Sequence, residues 1–554
     1  SNCRLSNVSL RLHSPPAHHA RFLRDAYWKW RGAAAACNTY MLNLTPKFAH
    51  IPAATFTRLA FAQTRSYSKP LSLARRAPVS QAFETSRPSA RSPWGYDVSS
   101  DRLVPGHSYF VTCHPGLEEI VAAELSSQHI RAQEVIPGKA GVFFRGTDVV
   151  GYRANLWLRS SIRVLRLLAR GPLNSYRAGG DEIYTFFRQA ANWAQLLAPR
   201  QTFSIRARVT SCTDIPSSHL VQIRGRDAIC DSIRDVRGSK PDPPERGQVA
   251  DLPLFAALFQ DECSLYLDMS GDSLHRRGYR TAMHASSLNE AAAAGVLSLA
   301  NWQTLSASEG QVLADPMCGS GTFLIEAALM ATKTAPGLFR QCWPFQSWPD
   351  FDPSAWHSSI DAARQDQVKW DGLLLGNDVH QGALGLAKRD AKAAGISHLI
   401  KWHSGPCSQW TPRETPSTVV VNPPWGLRLL NDAEEEEEEP AEANRWFAGD
   451  KQPGGRKAVS RRGGSPGYQQ AEIKPYEGTP LQAAWVDLRT FLKAQCPAAL
   501  VYVLCGNPDI TREIHMRSER KYPVTVGNID CRVLKYKVLP PKQPQDARAQ
   551  MFVM

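Results

Sequence analysis

No apolar run in this chain reaches the eighteen or so uninterrupted residues that a membrane-crossing helix needs, so neither a helical anchor nor a membrane partner is expected. Cysteine occurs twelve times, but never as C-x-x-C and never with histidines at zinc spacing. That pattern argues against a metal site and against a disulfide scaffold, and reads as reduced thiols. Carboxylates are scarce where positive charge is greatest: residues 1–90 hold thirteen Lys and Arg against only Asp25 and Glu84. Of the net charge of +14 this segment carries +11, leaving +3 for everything after it. Global charge is therefore a weak pointer to a nucleic-acid partner for the folded body.

What the first hundred residues do contain is Ala, Ser, Pro and Arg without sustained periodicity, the composition of an organelle transit peptide. The chloroplast is expected ahead of the mitochondrion. Met41 opens a targeting-like sequence of its own, and translation is expected to begin there. With 43% apolar residues the remainder can fill two cores. The expected division is a disordered leader over 1–100, an RNA-binding region over 105–270 and a catalytic domain over 280–554. That last domain is interrupted at 431–480 by six consecutive glutamates (434–439) and a Gly, Pro, Arg and Lys stretch, read as a disordered insertion.

The most informative stretch is Asp315-Pro316-Met317-Cys318-Gly319-Ser320-Gly321-Thr322. Gln311 to Ala314 reads as the end of a buried strand, the glycines permit a turn with φ > 0, and Thr322 to Thr332 reads as a helix. Asp315, Pro316, Cys318, Gly319, Gly321 and Thr322 would line a ligand at that helix N-terminus, the acid suiting a ligand with positive charge. A second strand, 372–376, ends at Asn377-Asp378, where Asp378 is placed to receive ribose hydroxyls. A third, 399–403, runs into HSGPCSQW, and a fourth, 418–421, stops at Asn422-Pro423-Pro424-Trp425. Together these read as an S-adenosyl-L-methionine methyltransferase acting on an exocyclic amine, with Asn422, Pro423, Pro424 and Trp425 at the target.

Upstream, a strand at 109–113, a helix after Pro115-Gly116, a strand at 141–144, a helix at 152–161 and a strand at 162–169 make an α+β pattern. Its arginines at 153, 159, 163, 166 and 170 suit a solvated amphipathic face or phosphate contact equally. Arg206 and Arg208 share one face of a strand at 203–209, and a helix over 223–236 carries Arg224, Arg226, Arg234 and Arg237. A strand from Cys263 leads to Asp272-Ser273-Leu274-His275-Arg276-Arg277-Gly278-Tyr279-Arg280, where His275, Arg276, Arg277 and Arg280 are expected to hold phosphates and Tyr279 to stack on a base. Ser287 and Glu290 have capping-box spacing before a helix expected to run to about Trp302. The aromatics Trp343, Phe345, Trp348, Phe351 and Trp356 are expected mainly to pack a loop onto the sheet. A helix at 481–494, a strand at 498–505 and a strand pair within 522–538 complete the pattern.

In combination, DPMCGSGTFLIEAA, APGL, NPPWGLRL and SGDSLHRRGYR resemble the bacterial RlmL-type methyltransferases over residues 107–430 and 478–540. The resemblance implies an α/β protein: a Rossmann-like class I methyltransferase domain preceded by an α+β THUMP-containing RNA-binding domain. It implies transfer to N2 of a guanine in large-subunit ribosomal RNA. Asp315, Gly319 and Gly321 would form the S-adenosyl-L-methionine loop, Asp378 would bind its ribose, and Asn422 to Trp425 would hold the base. Trp425 stands where the family commonly has Tyr. The acid that the family places after the third strand, against the adenine amine, is missing from HSGPCSQW, and only one methyltransferase domain is present. Two rivals stay open: a transfer-RNA guanine-N2 methyltransferase, and a non-catalytic RNA-binding assembly factor that keeps the fold. A DNA or protein-amine methyltransferase leaves residues 107–280 without a purpose.

Overall fold

The computed structural model describes residues 106–426 apart from 174–179, 213–214, 216, 246, 261 and 281–286, together with 476, 478–527 and 529–540. The leader with Met41, and 431–475 of the acidic insertion, lie outside the described residues.

Alternating side chains build the first sheet. In β1 (His107–Cys113), Tyr109, Val111 and Cys113 point to one face and join the main core. They are followed by α1 (Glu118–Ser126), β2 (Gln133–Gly138), β3 (Gly141–Gly146), α2 (Asp148–Trp157) and β4 (Ser161–Pro172). This βαββαβ unit has β1 between β3 and β4, antiparallel to both. Beyond α3 (Gly180–Ala190), β5 (Phe203–Thr210) connects through α4 (Ser218–Arg237) to β6 (Leu252–Phe259), which pairs in parallel with β5 and turns back as β7 (Glu262–Asp268). The resulting order is β2-β3-β1-β4-β7-β6-β5. Ser217 caps α4 by accepting from His219 N–H, and Gly238, at φ 78°, ends it.

The second sheet follows α5 (Glu290–Leu299). Its strands are β8 (Val312–Asp315), β9 (Leu373–Asp378), β10 (Ile400–Ser404), β11 (Thr418–Val421), β12 (Leu500–Cys505), β13 (Arg520–Val526) and β14 (Ile529–Lys537). The order is β10-β9-β8-β11-β12-β14-β13, parallel as far as β12 and antiparallel for the last two. Helices α6 (Thr322–Ala331), α7 (Pro353–Gln365), α8 (Gln381–Ala393) and α9 (Pro480–Gln495) accompany it. Cores on both faces explain why β11 reads as an uninterrupted Thr-Val-Val-Val, all of it buried. The expected α/β class with a Rossmann-like second sheet is therefore observed.

The two sheets meet within one compact unit. His114 donates from Nδ1 to Thr525 O at 3.1 Å, Thr525 N–H donates to Pro115 O at 2.9 Å, and a Cβ at Gly116 (φ 93°) would meet Pro523 O at 2.1 Å. Only glycine lets β13 approach that closely.

Several elements differ from the sequence reading, α3 among them, since no helix was expected at 180–190. β2 and β6 were not expected: β2 is mostly exposed and contains Pro137, and β6 is an apolar run without alternation. Helix α7 lies inside the aromatic stretch, where Asp352 caps it through Ala355 N–H. The expected capping box is also corrected. Asn289 is the cap of α5, accepting from Ala291 and Ala292 N–H, while Glu290 turns inward to Arg280. As expected, the aromatic stretch packs: Trp343, Phe345, Trp348 and Trp356 are buried, with Tyr152 stacked on Phe345.

Candidate active site

Strand β8 is hydrogen-bonded to β9 on one side and β11 on the other, and the connections leave in opposite directions. Such a reversal opens a crevice above the carboxyl ends of the strands. Because Thr418 and Val419 pair with Leu313 and Ala314, the turn after Asp315 and the loop after Val421 emerge side by side.

Asp315 is 2% exposed, and its Oδ1 accepts from Met317 N–H at 3.2 Å. Burial pushes its carboxyl well above the ordinary carboxylate range, with Asp378 adding to the effect. A cation placed there would be stabilised by, and would favour, the ionised form. Pro316 O accepts from Asn377 Nδ2 at 3.0 Å, and Cys318 N–H donates to Asn377 O at 2.9 Å. Cys318 is buried beneath the turn, its thiol pushed well up by burial. Gly319 (φ 53°) donates its N–H to Asp378 Oδ2 at 2.7 Å, and no atom lies within 4 Å of where its Cβ would stand. Gly321 (φ 74°) caps α6 against the ring of Trp402, and Thr322 begins that helix with its hydroxyl on Leu288 O. Asp378 Oδ1 accepts from His380 N–H at 2.8 Å.

On the other side of the crevice, Asn422 Oδ1 is buried without a hydrogen-bond partner among the described residues. An acceptor left open in that way can take a donor from a ligand or from water. Pro423 is buried and Pro424 exposed, the latter's carbonyl held by Trp485 Nε1 at 2.9 Å. Trp425 is half-buried, donating Nε1–H to Leu504 O at 3.1 Å, while Asn507 Nδ2 holds its carbonyl at 3.3 Å. A Cβ at Gly506 would sit 2.8 Å from the indole, so glycine there is what admits the ring.

Sequence reasoning missed Asn377 and His403. Asn377 Nδ2 donates to both Pro316 O and Gly405 O, which leaves Oδ1 as acceptor for His403 Nδ1 at 2.7 Å. His403 therefore donates from Nδ1, at the end of the third strand where no acid stands, and in the neutral ring its Nε2 is the acceptor. The polar residue directly before Asp378 was the only signal for this network.

The linker expectation is corrected. Arg277 is buried, with Nη2 on Glu326 Oε2 at 3.3 Å, Nη1 on Leu274 O at 3.0 Å, and a short hydrogen bond to Arg159 O. Tyr279 is buried with its hydroxyl on Glu326 at 3.1 Å, so it is not free to stack on a base. Arg280 faces Glu290, Asp390, Ser320 and Thr322. His275 holds Ser273 Oγ at 2.6 Å, and burial pushes its pKa down to about 3, so it brings no positive charge. Arg276 and Arg208 are exposed, and Arg206 is half-buried 3.8 Å from Asp268. The arginines of β4 and its approach are likewise internal. Arg159 donates to Leu329 O and Thr334 O, Arg163 pairs with Asp268, Arg166 with Asp148 and Asp350, and Arg170 with Glu262. The partner carboxylates lie far off in sequence, which is why the charges looked available.

Residues 108–165 match the RlmL ferredoxin-like domain, and residues 277–443 match the RMKL-like methyltransferase domain. A candidate RNA methyltransferase of Synechocystis sp. is 31% identical over 437 residues, covering 78% of this chain and 96% of its own length. A possible methylase of Clostridium difficile 630 has the same fold at 21% identity and a TM-score of 0.59, over 80% of this chain and all of that one. A candidate methyltransferase, SMU.472, solved with S-adenosylhomocysteine, is alike at 19% identity and 0.59, over 80% of this chain and all of its own. The chain thus carries a ferredoxin-like unit ahead of a class I methyltransferase sheet. The chain belongs to the RlmL-type RNA methyltransferase family.

Proposed function

We propose that the protein methylates the exocyclic N2 amine of a guanosine in large-subunit ribosomal RNA, with S-adenosyl-L-methionine as donor. The observation that carries this reading is the orphan acceptor of Asn422, buried beside the Asp315 turn at the crossover of the sheet. When bound there, S-adenosyl-L-methionine supplies an electrophilic methyl group on a sulfonium centre. The chain's own residues fit it: Asp315 would hold its cationic end, Asp378 its ribose, and a neutral His403 would offer the adenine amine an acceptor at Nε2 in place of the missing acid.

Guanine N2 is a poor nucleophile because its lone pair is delocalised into the ring. Asn422 Oδ1 and the Pro423 carbonyl accept its two hydrogens and turn the lone pair toward the methyl group. Trp425 offers part of its indole to the extruded base. The N–C bond would form as the S–C bond breaks, with S-adenosyl-L-homocysteine leaving. The methylated amine, by then acidic, would shed its extra proton to solvent, so acceleration comes from positioning and no strong base is needed. Residues 105–270 would deliver the RNA, the part after the ferredoxin-like unit being THUMP-like, with exposed Arg276 and Arg208 and half-buried Arg206 among the arginines proposed to meet phosphate.

Transfer of labelled methyl to purified ribosomal and transfer RNA, with mapping of the modified nucleoside, tests this. N2-methylguanosine in large-subunit RNA supports it. Modification of transfer RNA alone moves it to the rival substrate, and no transfer to either leaves a binding protein. The leader composition supports an organelle, the chloroplast first. Fusing residues 41–100 to a fluorescent protein tests that, and cytosolic fluorescence overturns it.

A further inference from the structure

Helix α6, whose N-terminus is the glycine turn, is gripped along its length by three arginines from outside the second sheet. Arg159 holds the C-terminal end through Leu329 O and Thr334 O. Arg277 holds the middle through Glu326, a fully buried carboxylate in an otherwise apolar helix, and is itself tied to Arg159 O. Arg280 holds the N-terminal end, where one nitrogen, Nη2, donates to both Ser320 Oγ (3.4 Å) and Thr322 Oγ1. These two hydroxyls flank Gly321.

The other nitrogens of Arg280 face carboxylates without making hydrogen bonds: Nη1 lies 3.0 Å from Glu290 and Nε 3.5 Å from Asp390, and neither is aligned for one. The guanidinium is thus neutralised by the two acids but aimed at the turn. Thr322 Oγ1 accepts from Arg280 and donates to Leu288 O, and Ser320 Oγ also meets Ser287 Oγ at 3.1 Å, so neither hydroxyl is free to rotate.

We infer that Arg280 is a positioning residue for the donor pocket: it sets the turn from Cys318 to Thr322 in its binding shape before any ligand arrives, with Arg277 and Arg159 anchoring the linker that carries it. This rests on reading the turn as a methyl-donor site. A rigid, preformed turn spares the ordering cost of binding, so the contribution falls on donor affinity and not on the chemical step.

The test measures S-adenosyl-L-methionine and S-adenosyl-L-homocysteine binding by calorimetry, and kcat against KM, on the full chain. Arg280→Lys keeps a cation between Glu290 and Asp390 but is one atom too short to put a nitrogen where Nη2 meets both hydroxyls. Ser320→Ala removes one of these hydroxyls, that of a residue not among those expected to line the donor, and leaves every buried charge paired, so it serves if the lysine variant does not fold. Each variant is expected to weaken both ligands by about tenfold while kcat at saturating donor and the melting point of the free protein stay close to wild type. The double variant is expected to be no weaker than the worse single. Unchanged donor affinity in a folded Ser320→Ala protein overturns the inference. So does a loss confined to kcat, or fully additive losses in the double variant. A wild-type protein that binds neither ligand overturns the donor-site reading itself, and this inference with it.

Discussion

Around the first sheet and its linker, buried charge is matched to charge. Arg166 lies 2.7 Å from both Asp148 and Asp350, Arg163 meets Asp268, and Arg277 meets Glu326. At the carboxyl ends of the second sheet the opposite holds: Asp315 is buried with a single backbone N–H on its carboxylate, and Asn422 Oδ1 has no partner among the described residues. A buried pair that is broken costs more than it ever contributed, because the survivor is left without solvent or partner. A neutral acceptor with no partner and no charge facing it, set at a strand end beside a glycine turn, is instead relieved by a bound donor or by water. The first arrangement marks a brace and the second a site, although the residue types alone suggest the reverse.

The largest effect should come from breaking the brace. Glu326→Ala orphans Arg277 and removes the acceptor of Tyr279, and the expected loss is about 3–5 kcal/mol of folding stability, read by urea unfolding. Retained stability would mean that the linker does not hold α6. Asn422→Ala tests the other arrangement. Methyl transfer is expected to fall about a hundredfold or more, with donor affinity by calorimetry and the melting point unchanged. Full activity in that variant would remove Asn422 from the chemistry.

The junction between the sheets should respond to acid. Burial lowers the pKa of His114 from 6.5 to about 4, its ring remaining neutral while it donates to Thr525 O. In the unfolded chain this histidine takes up a proton near its ordinary pKa, whereas in the folded chain it resists until about 4. Its contribution is therefore full above pH 6.5 and lost as pH falls toward 4, about 3 kcal/mol in all. Urea unfolding at steps between pH 7 and pH 4 should show this decline, and His114→Asn should flatten it. An equal slope in the variant would assign the acid sensitivity elsewhere.

Much of the second sheet was legible because its signals are local. The glycine turn, Asp378 and Asn422 to Trp425 each stand at a strand end, and β11 was placed to the residue by its β-branched run. The arginines of the linker were legible as charges but not as roles, since Glu326, Glu290 and Asp390 belong to three different helices. One local signal did exist: a glutamate inside Thr-Phe-Leu-Ile-Glu-Ala-Ala-Leu has to find a partner if the helix is buried. His403 was illegible for a different reason. Its donor nitrogen follows from two backbone carbonyls, Pro316 and Gly405, that together take both hydrogens of the Asn377 amide.

The smallest effect gives the sharpest contrast, because Gly319 and Gly321 share the left-handed conformation but not their surroundings. Gly321→Ala would put a methyl group 2.8 Å from the Trp402 ring and 3.0 Å from Ala387 Cβ, so the third strand or α8 must shift, and stability and donor affinity should fall together. Gly319→Ala meets nothing within 4 Å, and its folding cost should be only the left-handed strain, about 1 kcal/mol. Yet that open space lies over the turn, beside the N–H that reaches Asp378. If a ligand fills it, Gly319→Ala should lose donor affinity out of proportion to its small loss of stability, measured by calorimetry and urea unfolding on the same preparation. Equal donor affinity in Gly319→Ala and wild type would mean the ligand stays clear of the turn, and the orphaned acceptor of Asn422 would then need another explanation.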